Sequence, residues 1–195
     1  VIVTASDSFG NVTTGSFLVT VLPDTIPPVL SVPNNVTAIA TSATGAVVNY
    51  PAAVATDFSA AAPKITYSKA AGTEFPLGVT TVNVTASDDS GNTATGSFQV
   101  TVVPDTVPPV IHVPADVTAV AMSPSGAVVY YANANVVDNA TANPDVRYSR
   151  ASGSVFPMGV TPVTVTATDA VGNVSTAKFN VTVLTDVSAP GHFEK

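Results

Sequence analysis

Along most of this chain apolar and polar positions alternate one for one. Val82, Val84 and Ala86 fall on one side of an extended segment, with Asn83 and Thr85 on the other. Phe98, Val100 and Val102 repeat the pattern against Gln99 and Thr101, and Phe179, Val181 and Val183 repeat it once more. A period of two marks a half-buried β-strand, and Thr and Val suit its pleated surface. Between the alternating segments lies Asp88-Asp-Ser-Gly-Asn92 or Asp169-Ala-Val-Gly-Asn173. Gly supplies a positive φ there, and Asp or Asn can bond to the turn backbone. Residues 79–87 and 95–103 are therefore predicted to form a long hairpin. Upstream, residues 29–32 and 36–40 are predicted as a first strand broken at Pro33, which confines it to a sheet edge. Further strands are predicted at 46–50, 65–68 and 73–75. No run of ten or more residues shows a 3.6-residue period. About seven short strands in ~80 residues predict an all-β fold, a two-sheet sandwich of immunoglobulin type. Tyr50/Tyr131, Tyr67/Tyr148 and Phe75/Phe156 recur at equivalent places and read as packing residues.

The pattern itself recurs. Val3-Thr-Ala-Ser-Asp7 returns as Val84-Thr-Ala-Ser-Asp88 and as Val165-Thr-Ala-Thr-Asp169, and Gly10-Asn11, Gly91-Asn92 and Gly172-Asn173 close each copy. Asp24-Thr-Ile-Pro-Pro28 becomes Asp105-Thr-Val-Pro-Pro109 and then Asp186-Val-Ser-Ala-Pro190, each step being 81 residues (105 − 24 and 186 − 105). Residues 24–104 and 105–185 match, without a gap, at about half their positions. A fixed internal period decides architecture before any local signal does. The expected organisation is a tandem array: an incomplete preceding unit at 1–23 that supplies only a hairpin, complete sandwiches at 24–104 and 105–185, and the start of a further linker at 186–195. Residues 1–23 are not expected to stand alone, because a lone two-stranded hairpin is marginal in water.

Composition narrows the partners. Thirteen acids face six bases, for a net charge of −7 and a pI near 4.3, which makes nucleic acid a poor partner. No apolar run approaches the roughly 18 residues that cross a bilayer, so no membrane insertion is expected here. The chain has no Cys, so no disulfide staples the units. All the acids except Glu74 and Glu194 are Asp, a residue of turns and caps and a hard oxygen ligand.

Phe75-Pro-Leu-Gly78, Thr80-Thr-Val82, Thr85-Ala-Ser-Asp88, Gly91-Asn92 and Phe98-Gln-Val-Thr-Val102 together resemble the hyalin repeat (HYR) signature, and Phe156-Pro-Met-Gly159 through Val183 resembles it again. The leading Asp-Thr-x-Pro-Pro also resembles the opening of that family. The resemblance covers essentially the whole chain. It implies an immunoglobulin-like domain of extracellular adhesive or structural proteins, used also as an accessory module in secreted bacterial enzymes. Many family members carry cysteines near the positions of Tyr67, Val84 and Gly96. This chain has none, which sets the family's disulfides aside.

Candidate chemistry is sparse. His112 and His192 occupy unrelated places, and the pair Asp88-Asp89 becomes Asp169-Ala170 in the second copy. No nucleophile–base set or fixed carboxylate pair belongs to the unit, so no enzyme is expected. Metal binding is the one constellation to carry forward. The linker entering an immunoglobulin-type sandwich lies at the same pole as two of its loops. That pole collects Asp24, Asp57 and Asp88 in one copy, and Asp105, Asp138 and Asp169 in the next. Three carboxylates with loop carbonyls suit Ca²⁺ at a domain junction. Asn11, Asn35, Asn83, Asn139, Asn173 and Asn180 stand in Asn-x-Ser/Thr and are candidate glycan acceptors.

The expectation is a segment of an extracellular or cell-surface array that spaces and presents surfaces, as a stalk, adhesin or filament. Its expected partners are neighbouring repeats, copies of itself, or an extracellular protein or glycan. An accessory region of a secreted hydrolase and a self-assembling filament subunit are the alternatives.

Overall fold

The structure, a computed structural model, describes residues 1–58 and 61–185. All its regular structure is β, and among the described residues there is no helix. The expected linker at 186–195 lies outside the described residues.

The chain divides into two compact units. One comprises residues 1–33, 52–68 and 83–97, the other residues 34–51, 69–82 and 98–195. The division passes through the long hairpin of the first repeat and not along the repeat boundary.

The second unit contains the whole described part of the second repeat, where the sandwich can be followed strand by strand. Its principal sheet has the order β12 (Val117–Val120), β18 (Val174–Leu184), β17 (Gly159–Thr168), β15 (Asp145–Tyr148). β17 and β18 form the predicted hairpin, antiparallel from Gly159↔Val183 to Thr168↔Val174. β12 runs parallel to β18, pairing Val117 with Val181 and Val120 with Leu184. The opposing layer is two short ladders, β11 (Val110–His112) with β14 (Asn135–Val137) and β13 (Ala127–Val129) with β16 (Ser154–Phe156). Ala127, Val129 and Phe156 from this layer pack with Val163, Val165, Phe179, Val181 and Val183 from the sheet. Each of these is fully or nearly fully buried. The alternation read in the sequence is thus the inward face of a sandwich. Tyr131 stands edge-on to Phe156 and Phe179 and beside Tyr148, and its hydroxyl donates to the Arg150 carbonyl. Burial and then the neighbouring Tyr148 push the Tyr131 hydroxyl above its usual pKa.

The first repeat has the same ladders: β3 (Val29–Ser31) with β6 (Val54–Thr56), β5 (Gly45–Val48) with β8 (Thr73–Pro76), and the sheet β4 (Val36–Ile39), β10 (Thr93–Val103), β9 (Gly78–Ser87), β7 (Lys64–Tyr67). The break expected at Pro33 is the point where the first strand changes ladder. Val29–Ser31 pairs with β6, whereas Val36–Ile39 pairs in parallel with β10. Pro suits that crossing because it removes a ladder donor where no partner is required. Strands β6 and β14 are not among the predicted elements. Gly45 and Gly126 are obligatory, since a Cβ there would lie 1.9 and 1.8 Å from the carbonyl oxygens of Phe75 and Phe156.

Residues 1–23 contribute β1 (Ile2–Ser6) and β2 (Val12–Ser16), an antiparallel hairpin exposed along its whole length. No helix of the described residues is long and apolar enough to cross a membrane.

Candidate functional site

The turn that joins the two long strands of each repeat is built by one Asp and the Asn four residues on. In the first repeat Asp88 Oδ1 accepts the Asn92 backbone N–H at 2.8 Å, and the Asn92 side-chain amide donates to Asp88 Oδ2, also at 2.8 Å. In the second, Asp169 Oδ1 accepts the N–H groups of Val171, Gly172 and Asn173 at 3.0, 2.7 and 2.8 Å, and Asn173 donates to Oδ2 at 2.7 Å. Burial is the largest single influence on Asp88 and on Asp169, and it opposes ionisation. The Asn amide and the turn N–H groups together outweigh it, and both carboxyls lie below their ordinary pKa. Asp7 and Asn11 make the same clamp in the N-terminal hairpin, where the Asn11 amide leads in lowering the Asp7 pKa.

The same Asn ties the turn to the linker. Asn92 Nδ2 donates to the Asp24 carbonyl at 3.3 Å, and Asn173 Nδ2 to the Asp105 carbonyl at 3.2 Å. Each linker Asp then folds its own segment, with Asp24 Oδ1 accepting from Ile26 N–H and Asp105 Oδ1 from Val107 N–H. The sequence marks this Asn as turn closure and, at Asn11 and Asn173, as a candidate glycan acceptor, but does not show that it cross-links the turn to the linker. Its signal was available, because Asn sits four residues after Asp in all three copies of the turn.

The third acid completes each group. Asp57 accepts from the Phe58 N–H, and Asp138 Oδ1 accepts from Ala140 and Thr141 N–H at 3.0 and 2.7 Å. The structure brings together both predicted triads. Asp24, Asp57 and Asp88, and likewise Asp105, Asp138 and Asp169, each bring one carboxylate oxygen within 4.8 Å of the other two. These residues are the set that could hold a cation, and their donors are all hard oxygens. In the second triad, Asn139 Nδ2 also donates to Asp105 Oδ1 at 3.2 Å. A shallow cleft of about 220 Å³ runs beside Asp105, lined by Ala40, Ser42, Ala43, Leu77, Pro104 and Val171.

The asparagines of the Asn-x-Ser/Thr motifs separate by what their amides do. Asn11, Asn139, Asn173 and Asn180 donate Nδ2 to Asp7, Asp105, Asp169 and Asp116 respectively. Asn35 and Asn83 are exposed, and their Nδ2 atoms make no such bond. His112 is exposed at the end of β11, and His192 lies outside the described residues.

The HYR domain model matches this chain twice, at residues 23–102 and 104–183. The chain belongs to the HYR domain family. HYR relatives include hyalin of Lytechinus variegatus, 37% identical over 185 residues, which cover 91% of this chain and 35% of that protein. Hyalin of Strongylocentrotus purpuratus is 34% identical over 188 residues, covering 93% of this chain and 16% of that protein. The chain therefore spans about a third or less of the curated relatives it matches. Among solved structures, the titin domains Z1Z2 in complex with telethonin give a TM-score of 0.39 at 16% identity, covering 84% of this chain and 99% of that one. The extracellular cadherin domains of protocadherin gamma B7 give 0.35 at 16% identity, covering 78% and 49%. The family match gives two tandem HYR repeats, and the strand topology of the repeats is all-β, as the strand pattern predicts.

Proposed function

We propose that this chain is a load-bearing, non-catalytic segment of an extracellular adhesion-type repeat protein, acting as a spacer that holds a presented surface at a distance. One observation carries the reading. In each repeat an early strand and the last strand run parallel and are hydrogen-bonded to one another, Val36–Ile39 with Val100–Val103 and Val117–Val120 with Val181–Leu184. Force applied through the linkers pulls those two strands in opposite directions along their length. The ladder is loaded in shear, so its bonds must fail together and not one at a time. Ala40 N–H to Val103 O at 2.9 Å and Ala121 N–H to Leu184 O at 2.8 Å extend the two ladders identically. Linker prolines Pro28 and Pro109, buried in both copies and fixed in φ, make each connection semi-rigid. The family membership and the hyalin relatives support an extracellular setting and an adhesive context.

Single-molecule stretching of the chain tests the proposal. Each repeat should give a separate force peak, and each should release roughly 25 nm of chain, given about 3.4 Å per extended residue less the folded length. Ala121→Pro deletes the Ala121 N–H donor and should lower one of the two peaks while the other keeps its force. Two peaks no stronger than those of a sheet that unzips, unchanged by Ala121→Pro, would refute a mechanical role.

A further inference from the structure

We propose that Asp105, Asp138 and Asp169 form a Ca²⁺ site where the second linker enters the second sandwich. The inference goes beyond the spacer reading and stands or falls separately from it.

The turns alone do not account for these carboxylates. Asp105 uses Oδ1 to accept from Val107 N–H and from Asn139, and Asp138 uses Oδ1 to accept from Ala140 and Thr141 N–H. Asp105 Oδ2 and Asp138 Oδ2 are shut off from solvent and have no donor at all. Asp105 as a residue is only 7% exposed. A buried, unpaired carboxylate oxygen is costly, and a second beside it adds repulsion. Asp169 is also 7% exposed, so the second triad places two buried acids and a half-buried one together. The Asp169 turn employs both carboxylate oxygens, but the caps at Asp105 and Asp138 need only one acceptor, which Asn supplies as well as Asp does. Indeed the two copies exchange them at another cap: Asn35 Oδ1 receives Gln99 N–H in one, and Asp116 Oδ1 receives Asn180 N–H in the other. At the three junction positions both copies keep Asp.

A divalent cation resolves the mismatch by giving the idle oxygens a partner and cancelling the repulsion. Oxygens no more than 4.8 Å apart are near enough for small side-chain shifts to bring all three to about 2.4 Å from one ion, the Ca²⁺–oxygen distance. The absence of nitrogen or sulfur from the set disfavours transition metals. Mg²⁺ demands shorter bonds and a stricter octahedron, which three loop-borne carboxylates do not impose. The first triad is the internal reference. Its acids also converge, but Asp24 is less buried than Asp105, and the position of Asn139 is held by the exposed Phe58.

The test is calorimetric titration of the whole 195-residue chain, stripped of metal with chelator, with CaCl₂. Saturable binding is expected, with a dissociation constant of about 10⁻⁴–10⁻³ M as for extracellular modules, and a melting temperature that rises with Ca²⁺ concentration. Asp105→Asn keeps the Oδ1 acceptor and removes the idle anionic oxygen, so it should weaken the strongest binding event at least about tenfold. Asp24→Asn should leave that event unchanged. Circular dichroism checks that each variant is folded. If Asp105→Asn fails to fold, Asp138→Asn must show the same loss. No binding heat and no melting shift up to about 10 mM Ca²⁺ would overturn the site, as would unaltered binding in folded Asp105→Asn.

Discussion

The two repeats are one frame with two different surfaces around the linker. Where they carry the same residue, the hydrogen bonds have nearly the same lengths. Tyr67 and Tyr148 hydroxyls each receive an N–H, from Ala53 and Ala134, at 2.7 Å. The Asn clamps reach the linker carbonyl at 3.3 and 3.2 Å. Where the residues differ, the acid group changes character. Asn139 binds Asp105 and Thr141 Oγ1 receives the Ala170 N–H, whereas the corresponding positions 58 and 60 hold Phe and Ala. The frame is thus set by a few residues with one geometric duty each. The environment of the acids is set by a loop free to vary.

The largest expected effect tests whether the frame is shared. Phe75 and Phe156 are both wholly buried, so truncation leaves a large cavity in either repeat. Phe75→Ala and Phe156→Ala should each destabilise their own repeat by about 3–5 kcal/mol. Native-state hydrogen exchange reads each repeat separately, which matters because a chain of several modules need not unfold in one step. Costs that differ by more than about twofold would show that the two cores are not equivalent.

A smaller effect sharpens the comparison at the tyrosines. Tyr67→Phe and Tyr148→Phe leave the Ala53 and Ala134 N–H groups without an acceptor, at about 1–3 kcal/mol each. Ala53 is buried and Ala134 half-buried, so water can rescue the second N–H more readily. Tyr67→Phe should therefore cost more, as measured by the denaturant midpoint of each repeat. Equal costs would place both amides in the same surroundings.

Much of this frame was legible in the sequence because its signals are local. Val82, Val84 and Ala86, and Phe98, Val100 and Val102, announce both hairpin strands and their inward face, and all are buried. Strands Val54–Thr56 and Asn135–Val137 were not legible. Each is three residues long, their sequences share no pattern, and they exist because Val29–Ser31 and Val110–His112 pair with them. The parallel ladder between Val36–Ile39 and Val100–Val103 was equally hidden, since register between residues 64 apart (100 − 36) has no local mark. Of the candidate site, the acids could be found because they recur at one spacing. Their unequal burial could not, because it depends on what packs beside Asp24 and Asp105 in three dimensions.

The smallest expected effect concerns an inward-facing difference between the two repeats. Gly96 corresponds to Ala177 one period later. A Cβ on Gly96 would lie 2.7 Å from Val32 Cγ1 and 3.6 Å from Leu30 Cδ2. The first distance is a true overlap, and a β-branched Val cannot rotate freely out of the way. Yet the second repeat carries Ala at this position with Val113 in the place of Val32. The second repeat therefore has room for the extra methyl. Replacing Gly by Ala also restricts the unfolded chain, which stabilises by about 0.4–1 kcal/mol. Overlap and entropy oppose each other, and the overlap wins narrowly because it falls on a stiff side chain. Gly96→Ala should destabilise the first repeat by no more than about 1 kcal/mol. Adding Val32→Ala removes the methyl that collides, so the double variant should lose less than the two single costs combined. The denaturant midpoints of the two single variants and the double variant decide it. A cost above about 2 kcal/mol for Gly96→Ala would mean that the first sandwich is more tightly spaced here than the second, and that the shared frame ends at this strand.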